Sequence, residues 1–204
     1  MNHRASAPRL APGALLILAL TLSPLLTACQ RAQPESAIAN SSVGGPFSLI
    51  DQDGRRVTDQ DYNGRFRLIY FGFANCPDVC PVDLQVAGAG LQRFEAQDPD
   101  RAARVQPIFI TVDPERDTPA LLKRYVANFH PRLIGLTGSP AEIEAVKREY
   151  AVYGEKAAPG AGGAYNVDHS RILLLFGPQG EPLTIVPHDQ GPEAVAAELD
   201  RWVR

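Results

Sequence analysis

The chain is short of cysteine, with three in 204 residues, and it has no excess of positive charge: its formal net charge is −3. It also lacks an apolar run long enough to span a bilayer. Three cysteines are too few for a disulfide-built scaffold and give only weak support to a structural zinc site, which usually shows four Cys or His ligands. The acidic balance excludes the broad basic face that neutralises nucleic-acid phosphates, so no nucleic acid is expected as a partner. No internal repeat or low-complexity block is present, and 45% hydrophobic residues suit one domain with a real core.

The N-terminal residues differ from the rest. Arg4 and Arg9 precede an apolar run from Ala14 to Leu26, with Pro12 and Pro24 flanking its core. A basic start and a short apolar stretch read as an export signal, since a spanning helix needs about 20 apolar residues. The segment closes with Leu26-Thr27-Ala28-Cys29, which resembles a bacterial lipobox. Residues 1–28 are thus expected as a lipoprotein signal peptide and Cys29 as the lipidated residue. The alternative is an ordinary export signal that ends near a cysteine. Residues 29–45 are small and polar and read as a tether, leaving 46–204 as the folded domain. This places the protein in a bacterial cell envelope, anchored by lipid at the periplasmic face of the inner membrane.

Within the domain, Phe47 to Ile50 and Arg56-Val57 flank the turn signal Asp51-Gln52-Asp53-Gly54, so an N-terminal β-hairpin is expected. Arg67–Phe73 and Val105–Val112 read as buried strands joined by a helix from Pro81 to about Gln97. Thr118-Pro119 and Ser139-Pro140 are helix-start signals. Leu133 to Leu136 is a short strand, and Arg171–Phe176 and Leu183–Val186 form a terminal hairpin before a helix from Pro192 to Trp202. The Ala- and Gly-rich stretch from Lys156 to Tyr165 reads as a loop able to swing His169. The order implies an α/β thioredoxin-like fold, a mixed β-sheet flanked by helices.

Chemistry collects beyond the carboxyl ends of strands in such sheets, and Cys76-Pro77-Asp78-Val79-Cys80-Pro81 follows one directly. Pro81 suits the first helical position, so Cys80 is expected at the N-cap, with both thiols made more acidic by the helix end. Three residues between the cysteines permit a wide metal bite, and equally a structural disulfide. His169, in Val167-Asp168-His169-Ser170, lies where dithiol oxidoreductases of this fold place a cis-proline; the chain has no proline between Pro159 and Pro178. A histidine at a loop end is also commonly just solvated. Two thiolates and an imidazole suit copper, as Cu(I) or Cu(II). Asp168 is weighed as an orienting partner against a plain solvated aspartate. His130 reads as a helix-end residue, His188 as a surface-loop residue, and Glu115-Arg116-Asp117 as a solvated turn or docking surface. A peroxidase is disfavoured because no threonine stands just upstream of either cysteine.

Five segments together resemble the Sco (SenC/PrrC) family: Tyr70-Phe71-Gly72-Phe73, Cys76 to Pro81, Val112-Asp113-Pro114-Glu115-Arg116-Asp117-Thr118-Pro119, Gly135-Leu136-Thr137-Gly138 and Val167 to Ser170. Ala74-Asn75 and Val82 depart from frequent threonines without touching those positions. The resemblance implies a copper chaperone for the binuclear copper centre of cytochrome c oxidase, with Cys76, Cys80 and His169 as ligands. It implies cytochrome c oxidase subunit II, a periplasmic copper donor and a thiol reductant as partners. The rival expectations are a thiol-disulfide oxidoreductase using Cys76 and Cys80 as its redox pair, and a redox or copper sensor.

Overall fold

The computed structural model describes residues 1–2, 36–158 and 165–204; the expected signal peptide beyond its first two residues, the lipobox Cys29 and residues 30–35 of the expected tether lie outside the described residues. Strands β1 (Ser48–Asp51) and β2 (Arg56–Thr58) form the expected hairpin, with Gly54 in the turn at φ +80°. Then follow β3 (Phe66–Gly72), α1 (Val79–Gln97), α2 (Pro99–Ala103), β4 (Val105–Thr111), α3 (Pro119–Val126), β5 (Ile134–Thr137) and α4 (Pro140–Glu149). The chain continues through β6 (Gly154–Lys156), β7 (Val167–His169), β8 (Leu173–Phe176), β9 (Pro182–Ile185) and α5 (Pro192–Trp202). Seven strands make one mixed sheet in the order β2-β1-β5-β4-β3-β8-β9. Its centre is the parallel set β3, β4 and β5, with β8 antiparallel to β3. This is the thioredoxin-like α/β plan.

β3 and β4 are buried along their whole length, as central strands covered on both faces must be, which explains their continuous apolar runs. The cap signals behave as their chemistry dictates. Thr118 accepts from the Leu121 N–H, and Ser139 and Glu142 form a reciprocal capping box, each such cap stabilising by about 1 kcal/mol. The same signal at Asp98-Pro99 starts α2, a short helix between the expected helix and strand that was not expected. Among the described residues no helix is long and apolar enough to cross a membrane.

Helix α1 packs closely on its neighbours because glycine stands at the contacts. A Cβ at Gly88 would lie 2.4 Å from the Phe129 carbonyl oxygen, and one at Gly90 would lie 2.5 Å from Val195 of α5. Beside this contact His130 is buried, not merely a helix-end residue. Its Nδ1 accepts the Arg132 N–H at 3.2 Å, so Nε2 carries the proton and faces the Glu95 carboxylate at 3.4 Å. Burial holds this ring below the ordinary 6.5.

The sign of the resulting pH dependence follows from the proton count. Below pH 6.5 the unfolded chain protonates His130 while the folded chain resists, so folding stability falls with acidification through that window. The loss has a ceiling of about 1.4 kcal/mol per pH unit for one group. Thermal unfolding at a series of pH values should show a smaller loss between pH 6.5 and the lowered value in His130→Asn than in wild type. Parallel curves would exclude His130 as the source.

Candidate metal centre

β3 delivers the chain to the site. Phe73 is buried, the Cys76 N–H donates to the Phe73 carbonyl at 3.2 Å, and the loop turns into α1 at Val79. The N-cap is Asp78, so Cys80 is the second residue of the helix and Pro81 the third, each two positions further into the helix than expected. The shift costs nothing, because a proline anywhere in the first helical turn removes an N–H that has no intrahelical partner. Asp78 makes no side-chain cap bond; instead the Cys80 N–H donates to Cys76 Sγ at 3.3 Å. The first sulfur thus occupies the position of a helix-capping acceptor.

Cys80 is wholly buried, and Gly72 makes room for it: a Cβ there would lie 2.9 Å from Cys80 Sγ and 3.1 Å from the Phe109 ring. Burial pushes the Cys80 thiol up, beyond what the Phe73 backbone and the Tyr70 hydroxyl offset. This corrects the expectation of two acidic thiols: at Cys80 desolvation outweighs the helix end. Cys76 is half-buried, and both cysteines are free thiols.

His169 ends β7, whose antiparallel pairing with β6 sets Gly154 opposite His169 and Lys156 opposite Val167. The expected loop from Lys156 is therefore shorter, and residues 159–164 lie outside the described residues. His169 Nε2 sits 3.1 Å from Cys80 Sγ, so no swing is needed to bring it there. Its Nδ1 lies 3.0 Å from the Ser170 carbonyl, which can only accept; the proton is on Nδ1 and the Nε2 lone pair faces the thiol. Burial lowers the ring below 6.5, keeping it neutral and ready to ligate near pH 7. Tyr70 and Phe73 stand edge-on to it, with ring centroids at 6.3 and 5.8 Å. Asp168 is exposed, and the Ser170 carbonyl, not Asp168, fixes the ring.

The Glu115-Arg116-Asp117 turn is not solvated as expected. Asp117 is fully buried and accepts from Thr111 Oγ1 at 2.6 Å and from the Ala74 N–H at 2.9 Å, pinning the cysteine loop to β4. Asp113, likewise buried, accepts from Arg116 and from the Tyr165 hydroxyl at 2.9 Å, while the Arg116 guanidinium lies 3.7 Å from the Tyr165 ring centroid. Only Glu115 remains outward, paired with Lys156 at 2.6 Å. His188 is buried as well, 3.4 Å from Asp83, and not on a surface loop.

Cys76, Cys80 and His169 offer one donor atom each, all within 4.8 Å of one another. Donors this close can meet around a single ion, and Cys80 Sγ and His169 Nε2 are already 3.1 Å apart. The fold and this donor set define a thioredoxin-like protein with a dithiol–imidazole centre, suited to a soft metal or to dithiol redox chemistry.

The family profile described as SCO1/SenC matches residues 35–204. The chain is 40% identical to the human mitochondrial SCO1 homolog over 169 residues, covering 82% of this chain and 55% of that protein. It is 45% identical to the Arabidopsis thaliana mitochondrial SCO1 homolog 1 over 139 residues, covering 68% of this chain and 40% of that one. Its fold matches the structure of Bradyrhizobium japonicum ScoI with copper bound, with 42% identity and a TM-score of 0.71, covering 78% of this chain and 99% of that one. The copper-bound yeast Sco1 matches at 36% identity and a TM-score of 0.71, covering 78% and 86%. The chain belongs to the SCO1/SenC family. It spans about half the length of these curated mitochondrial relatives.

Proposed function

We propose that this protein is a copper metallochaperone that delivers copper to the binuclear site of cytochrome c oxidase, with Cys76, Cys80 and His169 as ligands. The observation that carries the reading is the convergence of two thiols and a neutral imidazole within 4.8 Å. Thiolates favour Cu(I), and an added imidazole lets the same donors hold Cu(II). Family membership and the copper-bound relatives support the choice of metal. Copper is cargo here. The thiols take it from a periplasmic donor, release their protons to solvent as it binds, and yield it by stepwise exchange to cysteines of subunit II. In the same reading a thiol reductant keeps the pair reduced, residues 1–28 are the signal, and Cys29 carries the lipid that holds 46–204 through the tether at the periplasmic face of the inner membrane.

The free thiol pair also favours a second reading, reduction of the oxidase copper-site disulfide by the half-buried Cys76 with Cys80 resolving the mixed disulfide. Substitution of His169 by alanine in the full chain separates the two. The chaperone reading requires Cu(I) retention to fall at least about tenfold, one ligand being lost, while thiol-disulfide exchange stays within about twofold. Undiminished copper retention would reject His169 as a ligand and leave the dithiol reading.

A further inference from the structure

β6 and β7 contain three residues each and form a two-stranded ribbon apart from the seven-stranded sheet. A ribbon of this size is marginal by itself, and it cannot by its own pairing hold His169 at a fixed distance from α1. Something else must tie the end of β7 to the helix that carries Cys80.

Asp83 is that tie. It lies three residues after Cys80 on the inner face of α1 and is 3% exposed. Its Oδ1 accepts from Arg171 Nη2 at 2.7 Å, and its Oδ2 accepts from Arg171 Nε at 3.0 Å and from the Tyr70 hydroxyl at 2.8 Å. His188 Nε2 is 3.4 Å from the same Oδ2. Burial alone would raise this carboxyl, yet Arg171 and Tyr70, with His188, hold it below the ordinary range. The charged form is therefore matched, as a buried carboxylate must be. Arg171 follows His169 by two residues, so the Asp83–Arg171 pair spans the gap between α1 and β7 that Cys80 and His169 span. Tyr70 is the third corner, its hydroxyl on Asp83 and its ring edge-on to His169.

We infer that Asp83, acting through Arg171 and Tyr70, is a positioning residue that holds the His169 imidazole against Cys80 before an ion arrives. The inference rests on the copper reading for what the held imidazole is for, but the geometry it asserts exists without metal. The sequence carried a signal for it that was not read: an aspartate on the apolar face of α1, in line with Cys80 and Ala87.

The test uses the full, reduced chain and Cu(I) itself, in competition with a chromophoric chelator. The Arg171 side chain is half exposed, so Arg171→Gln opens no cavity, although it leaves the buried Asp83 carboxylate without its cationic partner; Asp83→Asn, which removes that charge, is the second variant. Each should weaken Cu(I) binding about 10- to 100-fold, the usual cost of losing a partner that orients a ligand. Arg171→Lys, which keeps the charge but not the two-pronged contact, should fall between Arg171→Gln and wild type. In a His169→Ala background Arg171→Gln should have no further effect. In metal-free protein, nuclear Overhauser contacts from the His169 ring to Tyr70 and Phe73 should weaken in Arg171→Gln. Wild-type affinity and contacts in both variants, or an equal loss in the His169→Ala background, would overturn the inference. If wild type and His169→Ala bind copper equally, the copper reading fails, and the metal-free contacts alone decide the tie: their loss upholds it and their persistence rejects it.

Discussion

Replacing Cys80 with serine should lower Cu(I) retention about 100-fold. Apparent metal-binding energies of roughly 10–16 kcal/mol spread over four ligands in small zinc domains give about 3 kcal/mol per ligand, and tenfold in affinity is about 1.4 kcal/mol. Serine at a wholly buried position offers a hard hydroxyl that does not ionise, and the buried site gives a replacement water little access. Cys76→Ser should cost less. The half-buried position admits solvent, and a serine oxygen can still accept the Cys80 N–H that Cys76 Sγ now receives at 3.3 Å. The pH slope gives an independent check. Because burial raises the Cys80 thiol, copper must displace its proton, and affinity should climb by up to about tenfold per pH unit for that thiol through neutral pH. Cys80→Ser should remove one proton from that slope. A slope equal to wild type would mean that Cys80 does not ligate.

Gly88→Ala should destabilise the fold by about 2 kcal/mol. Alanine gains up to about 1 kcal/mol over glycine in a helix interior. The steric term wins, because the new Cβ would stand 2.4 Å from the Phe129 carbonyl oxygen and overpacking of this kind costs about 3 kcal/mol. The obstacle is backbone, which cannot rotate away as a side chain would. For a chain of this size the melting temperature should drop by about 4–8 °C, while the affinity for copper stays near wild type. An unchanged or raised melting temperature would show that α1 does not approach Phe129 this closely.

The parts of this structure that could be read from the sequence are those written in local chemistry. Thr118-Pro119 and Ser139-Pro140 start helices at the expected residues, α5 runs from Pro192 to Trp202 as expected, and the dense apolar runs of β3 and β4 are central strands. The cysteine loop was legible from its place directly after a buried strand, while its spacing alone fitted a structural disulfide equally well. His169 was legible only through its place in the fold and the family resemblance. What stayed hidden depends on distant partners. Glu115-Arg116-Asp117 looks solvated until Ala74, Thr111 and Tyr165 close over it, and His188 looks superficial until Asp83 and Tyr70 meet it. The β6 strand, Gly154-Glu155-Lys156, has no alternation to betray it. The acidity of Cys80 reversed its expected direction because burial is a tertiary property that a helix-start signal does not contain.

In the proposed chaperone, the unequal burial of the two sulfurs gives the handover a direction. Cys80 has no exposed surface, whereas Cys76 and His169 both reach solvent. An incoming thiol can approach an ion among the three only from the outer side, so it meets Cys76 first and can displace Cys80 only after the ion has begun to leave. In that reading the deep sulfur is a floor that holds the ion until another protein's ligand has closed on it.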